Sequence, residues 1–88
     1  MDFEKQKLIT IVSDMKFVLI RLDETKHQTI TDLVNEHISK FEKHEKDTNS
    51  LINDAVSAIE KCLSDNNFED VPVEISDLVE SLKAFLPA

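Results

Sequence analysis

Apolar residues recur along this 88-residue chain at steps of three and four. Between about Asp2 and Leu22, the residues Leu8, Ile11, Val12, Met15, Val18, Leu19 and Leu22 fill one helical face about 120° wide, the period of an amphipathic helix. A hairpin, with LITIV turning at Ser13-Asp14 into MKFVLIRL, would use the β-branched residues found here. Such a two-residue turn calls for Asn-Gly or an equivalent, however, and FVLIRL does not alternate, so the spacing predicts a helix. Ile9, Phe17 and Ile20 form a second ridge nearly opposite the first. A helix apolar on two sides is either surrounded by the rest of its own bundle or an interface with another chain.

The segment DETKHQTIT breaks this pattern and offers Thr29 or Thr31 as an N-cap, with Asp32 three residues beyond Thr29 in an approximate capping box. From there the apolar phase is regular: Ile30, Leu33, Val34, His37, Ile38 and Phe41, then Leu51, Ile52, Ala55, Val56, Ile59, Cys62 and Leu63. Between the two runs lies Asp47-Thr48-Asn49-Ser50, a cluster of turn and cap formers, yet the heptad phase continues across it. Two architectures follow, a pair of helices joined by a short turn or one rod over about residues 29–64 with His44 and Thr48 in its seam. No Gly or Pro forces a break, which favours the rod, and a rod of that length needs a partner along its seam. SDNNFEDVP is a stop, with Asn66 or Asn67 suited to the left-handed conformation and Pro72 suited to the first turn of a following helix. That last helix, about Pro72 to Phe85, carries Ile75, Leu78, Val79, Leu82, Phe85 and Leu86 on one face. The expected fold is a single all-α domain over residues 1–88, a small bundle of three or four helices completed by self-association, with a homodimer favoured.

Composition narrows the chemistry. The chain is 41% hydrophobic and 32% charged, a globular balance. It contains no Gly, which removes P-loops, dinucleotide-binding turns, EF-hand loops and nucleophile elbows, all of which need backbone at positive φ or close to a phosphate. A single Cys permits neither an internal disulfide nor a thiolate zinc site. The N-terminal MDFEKQKLITIVSDMKFVLI has acidic residues where a signal peptide wants basic ones, Ser13, Asp14 and Lys16 interrupt its apolar run, and the longest apolar stretch, Phe17 to Ile20, is far short of the roughly 20 residues of a membrane span. A soluble, cytoplasmic protein is expected.

Candidate catalytic groups are few. His37 and His44 lie seven residues apart on one helix, about 10.5 Å of rise, too far to share one ion at about 2.1 Å from each nitrogen without a second chain. Two partly buried seam histidines are the simpler reading, and a small ligand or metal held by His37 and His44 at a chain interface is an alternative. Glu24 and His27 give one Glu-x-x-His, whereas a carboxylate-bridged di-iron bundle needs two with further glutamates. Cys62 shares the apolar phase with Ile59 and Leu63 and reads as a small core residue. No catalytic residue, metal site or cofactor is expected.

The formal charge of −8 is uneven, with −1 on residues 1–44 and −7 on residues 45–88. Residues 62–82 hold Asp65, Glu69, Asp70, Glu74, Asp77 and Glu80 and no Lys or Arg. Asp70, Glu74, Asp77 and Ser81 follow one helical ridge with Glu80 beside it, carboxylates about 6 Å apart, near the repeat of phosphates along a nucleic-acid strand. A solvated face that keeps the bundle soluble is the plain reading. The missing bases raise another: such a surface repels nucleic acid and anionic membrane and suits a protein partner with a basic surface, the site a nucleic-acid mimic would block. In size, acidity and want of a catalytic signature the chain is similar in kind to small phage-encoded inhibitors of host machinery, such as anti-restriction or anti-CRISPR proteins, a likeness of composition that covers no aligned residues. Stoichiometric inhibition of a basic partner is therefore the leading expectation. A self-assembling structural helical protein, its ridge of Ile9, Phe17 and Ile20 buried between identical chains, is the alternative.

Overall fold

The three-and-four spacing becomes four helices in the computed structural model, which describes residues 3–22, 28–65 and 72–86. They are α1 (Phe3–Arg21), α2 (Gln28–Lys43), α3 (Thr48–Asp65) and α4 (Val73–Ala84), with no strand among the described residues. Helix α1 packs against α2 and α4, and α3 also packs against α2 and α4, so each helix has two neighbours in a closed ring. Facing positions place α1 antiparallel to α4, with Asp14 opposite Ser81 and Arg21 opposite Glu74. Helix α2 is likewise antiparallel to α3, with Thr29 opposite Asp65 and Glu36 opposite Ala58.

Each helix sends one stripe inward, because only burial of an apolar face repays ordering so short a helix in water. The core is Ile11, Met15, Val18 and Leu22 from α1; Ile30, Val34, Ile38 and Phe41 from α2; Leu51, Ile52, Ala55, Val56 and Ile59 from α3; and Ile75, Leu78 and Leu82 from α4. Leu8, Val12, Leu19, Leu33, Cys62, Leu63, Val79, Phe85 and Leu86 pack partly buried around it. With four helices in a ring, none is enclosed, so the second ridge of α1 does not lie inside the bundle. Ile9 is 52% exposed, Phe17 59% and Ile20 80%.

The rod over residues 29–64 does not form. Helix α2 ends at Lys43 and α3 begins at Thr48, and the break comes from the turn residues themselves. His44 adopts φ 49°, the left-handed conformation that Gly usually supplies at a helix end, and its N–H donates to the Lys40 carbonyl at 3.0 Å. Asp47 then caps α3. Its carboxylate accepts from the Ser50 N–H at 3.1 Å and from the Ser50 hydroxyl at 2.8 Å, while its carbonyl accepts from the Leu51 N–H at 3.1 Å. These bonds hold the Asp47 carboxyl below the usual carboxylate range. His44 Nε2 and the Thr48 hydroxyl lie 3.2 Å apart across the turn, and Lys46 donates to Asp54 at 3.2 Å. Folding back at this turn lays the stripe of α2 on that of α3 within one chain.

Two smaller corrections concern helix starts. Helix α2 begins at Gln28, so neither Thr29 nor Thr31 precedes it as a cap; Asp32 accepts from the Gln28 side chain at 2.7 Å, and Thr31 is buried. Pro72 occupies the N-cap of α4 at φ −55° and ψ 134°, one position ahead of the first turn, and its carbonyl accepts from the Ile75 and Ser76 N–H groups at 3.0 and 3.2 Å. Glu24, His27, Asn66 and Asn67 lie outside the described residues.

Candidate functional site

The seam between α1 and α4 sets carboxylates beside exposed apolar area. The antiparallel pairing brings Asp14, Phe17 and Arg21 of α1 opposite Glu74, Asp77 and Ser81 of α4 along a shallow groove floored by Val18 and Leu78. Arg21 is held in place twice. Its guanidinium carbon stands 5.7 Å from the centroid of the Phe17 ring, and its Nη2 stands 4.0 Å from Glu74 Oε1.

Of the sequence-predicted carboxylates, Asp77 and Glu80 are exposed on α4, and Glu74 is half-buried beside Arg21. Asp65 is exposed but sits at the end of α3, on a different groove lined by Thr29, Leu33, Lys61 and Cys62 from α2 and α3. Glu69 and Asp70 lie outside the described residues. The ridge is therefore divided: one member is shared with Arg21, and another belongs to a neighbouring surface. Lys83 reaches Glu60 at 3.8 Å, and Lys7 donates to Asn49 at 3.0 Å. No ion pair reaches Asp14, Asp77 or Glu80 among the described residues. Asp14 is the acid that sequence reasoning did not place here, because it belongs to the acidic surface only through the packing of α1 against α4.

The ridge Ile9, Phe17 and Ile20 borders the groove through Phe17, and Phe3, 79% exposed, extends it at the start of α1. Val73, 61% exposed, adds apolar area at the start of α4.

The two histidines separate. His37 is buried, while His44 is exposed on the turn, so they are not paired seam residues. Burial pushes the His37 imidazole below its ordinary value of 6.5; the charge of Lys40 adds to this, while Glu36 and Asp54 oppose it. No cluster of three or more His, Cys, Asp or Glu side chains suited to a metal occurs among the described residues. Nor is any helix among them long and apolar enough to cross a membrane.

The His37 shift has a testable sign. A base whose folded pKa is lowered is protonated more readily in the unfolded chain, so its contribution to stability is intact above pH 6.5 and is lost as pH falls below that value toward the lowered one. Thermal midpoints are expected to decline between pH 6.5 and the onset of carboxylate titration. His37→Leu, close in volume, removes that part of the decline. Parallel pH profiles for the two proteins would show that His37 does not govern this range.

The groove sets carboxylates of two helices beside apolar side chains. No protein-family model, curated protein sequence or solved structure matches this chain, so the groove is read on its own geometry.

Proposed function

We propose that this protein acts stoichiometrically, docking a basic element of a partner protein into the α1–α4 groove and blocking it. The observation that carries this reading is the placement of Asp14 and Asp77, which no ion pair reaches among the described residues, beside the exposed Phe17 in the groove, with Glu80 exposed on the same helix as Asp77, on a chain of formal charge −8. A basic amphipathic helix matches both properties. Its lysines or arginines meet the carboxylates, and its apolar stripe covers Phe17. Complementary potential gives such a pair fast, salt-sensitive association, while covered apolar area slows its release. The partner class is a protein with a basic cleft, including one that otherwise holds nucleic acid, which makes the chain an inhibitor. Arg21, paired with Glu74 and stacked on Phe17, leaves Asp14 and Asp77 to the cations of the partner.

A labelled amphipathic peptide of leucine and lysine, followed by fluorescence anisotropy at low and high salt, tests the groove directly. Binding is expected to weaken steeply with salt, and the triple variant Glu74→Lys, Asp77→Lys, Glu80→Lys is expected to weaken it by at least about 30-fold, because like charges then face each other. Unchanged affinity in that variant, or affinity indifferent to salt, would reject the groove as a basic-partner site. A pull-down from native host extract at the same two salt concentrations then identifies the partner.

A further inference from the structure

We propose that the outer face of α1 pairs with the same face of a second copy of this chain, antiparallel about a two-fold axis between Thr10 and Ser13. Phe3, Gln6, Thr10, Ser13, Phe17 and Ile20 succeed one another at alternating steps of three and four on the side of α1 away from the core, the spacing of a coiled-coil seam. The bundle does not use this seam, and it is not uniformly apolar. Its large side chains stand at the two ends, and its small hydroxyl residues stand in the middle.

That distribution is self-complementary in one orientation. An antiparallel copy sets Phe3 against the second copy's Ile20 and Gln6 against its Phe17, and brings Thr10 and Ser13 together at the centre, where small side chains let two backbones approach. Antiparallel α1 helices also oppose their dipoles favourably, whereas a parallel pair aligns them and leaves Gln6, Thr10 and Ser13 facing their own copies. Thr10 already donates its hydroxyl to the Gln6 carbonyl at 3.0 Å, so burial leaves no orphaned donor there. Two of the flanking cations are paired within the chain, Lys16 with Glu42 at 3.7 Å and Arg21 with Glu74 at 4.0 Å.

The area suffices. Phe3, Phe17 and Ile20 on the seam are 79, 59 and 80% exposed and Ile9, on its flank toward α2, is 52% exposed, together roughly 500 Å² of apolar surface per chain when a whole aromatic side chain covers about 150–250 Å². Two copies therefore cover about 1,000 Å² before any polar contribution, which reaches the lower bound of a specific interface. In an antiparallel pair like flanks meet, so both α4 helices fall on one side with Asp77 and Glu80 open to solvent, while Phe17 is covered, so that chain pairing and the docking of a partner on Phe17 exclude each other.

Sedimentation equilibrium from low micromolar to several hundred micromolar is expected to give twice the chain mass at the upper end. Ile20→Lys and Phe17→Glu, both at exposed positions, should return the monomer mass with an unchanged helical circular-dichroism spectrum. A nitroxide on Lys5→Cys in a Cys62→Ser background reads orientation, because the antiparallel register sets the two labels about 20 Å apart along the axis at about 1.5 Å per residue, and a parallel pair sets them side by side. A monomer at every concentration overturns the proposal and leaves the ridge to a different chain. A dimer that survives both substitutions, or labels side by side, also overturns it.

Discussion

Phe41→Ala is expected to destabilise the fold by about 3–5 kcal/mol, enough to unfold much of the population of so small a domain. Phe41 has no solvent exposure and is among the largest fully buried side chains of the protein. It sits on the last turn of α2, directly before the reversal at His44, where the backbone is pinned by the His44 and Asp47 bonds and cannot relax into the space a truncation leaves. A chain of this length buries only about 60–65% of its unfolded surface, so the loss falls on a narrow margin. The comparison is Phe17→Ala in dilute solution. Phe17 is the same residue type on a helix of the same bundle, 59% exposed, and its truncation should change stability by no more than about 0.5 kcal/mol. Urea unfolding followed by circular dichroism separates the two. Similar midpoints for both variants would mean that the core is not where the stripes place it.

The stripes that put Phe41 inside were legible because one amphipathic face per helix is a local property, written in the residues that make the helix. Ile11, Met15, Val18, Ile75, Leu78 and Leu82 were all placed correctly by period alone. The break at residues 44–47 was not, because the turn preserves the heptad phase, and the choice between rod and turn is long-range. A continuous helix leaves its seam bare, whereas reversal buries Ile30, Val34, Ile38 and Phe41 with Leu51, Ile52, Ala55 and Ile59 in one core. His44 at φ 49° carries no sequence signal of the kind a Gly would give. The candidate groove was half legible for the same reason. Asp77 and Glu80 belong to α4 by sequence, but Asp14 and Arg21 join them only through the packing of α1 on α4, which no local pattern states. Phe3 precedes the first apolar stripe, and its place on the outer seam emerges only once that stripe has turned inward.

Thr31→Val is expected to stabilise the protein by about 1–2 kcal/mol, raising the thermal midpoint by about 4–8 °C for each kcal/mol at this chain length. Thr31 is 2% exposed, and its hydroxyl oxygen has no hydrogen-bond partner among the described residues. The unfolded chain solvates that hydroxyl, and the folded chain leaves it dry, a loss that nothing nearby offsets. Valine keeps the shape, the β-branch and nearly the same helix propensity while removing the polar atom, so no cavity forms and no rotamer changes. Thr31→Ser separates this cause from general tolerance at the site, since it keeps the hydroxyl and deletes the methyl group and should therefore destabilise. An unpartnered group in the core of a marginal domain persists where function sets a threshold for stability rather than a maximum. Thr31 lies in the core, away from both the outer face of α1 and the α1–α4 groove, so Thr31→Val should leave chain pairing and peptide binding unchanged. A valine variant no more stable than the natural chain would mean that water reaches the hydroxyl, and that this part of α2 opens more readily than its burial implies.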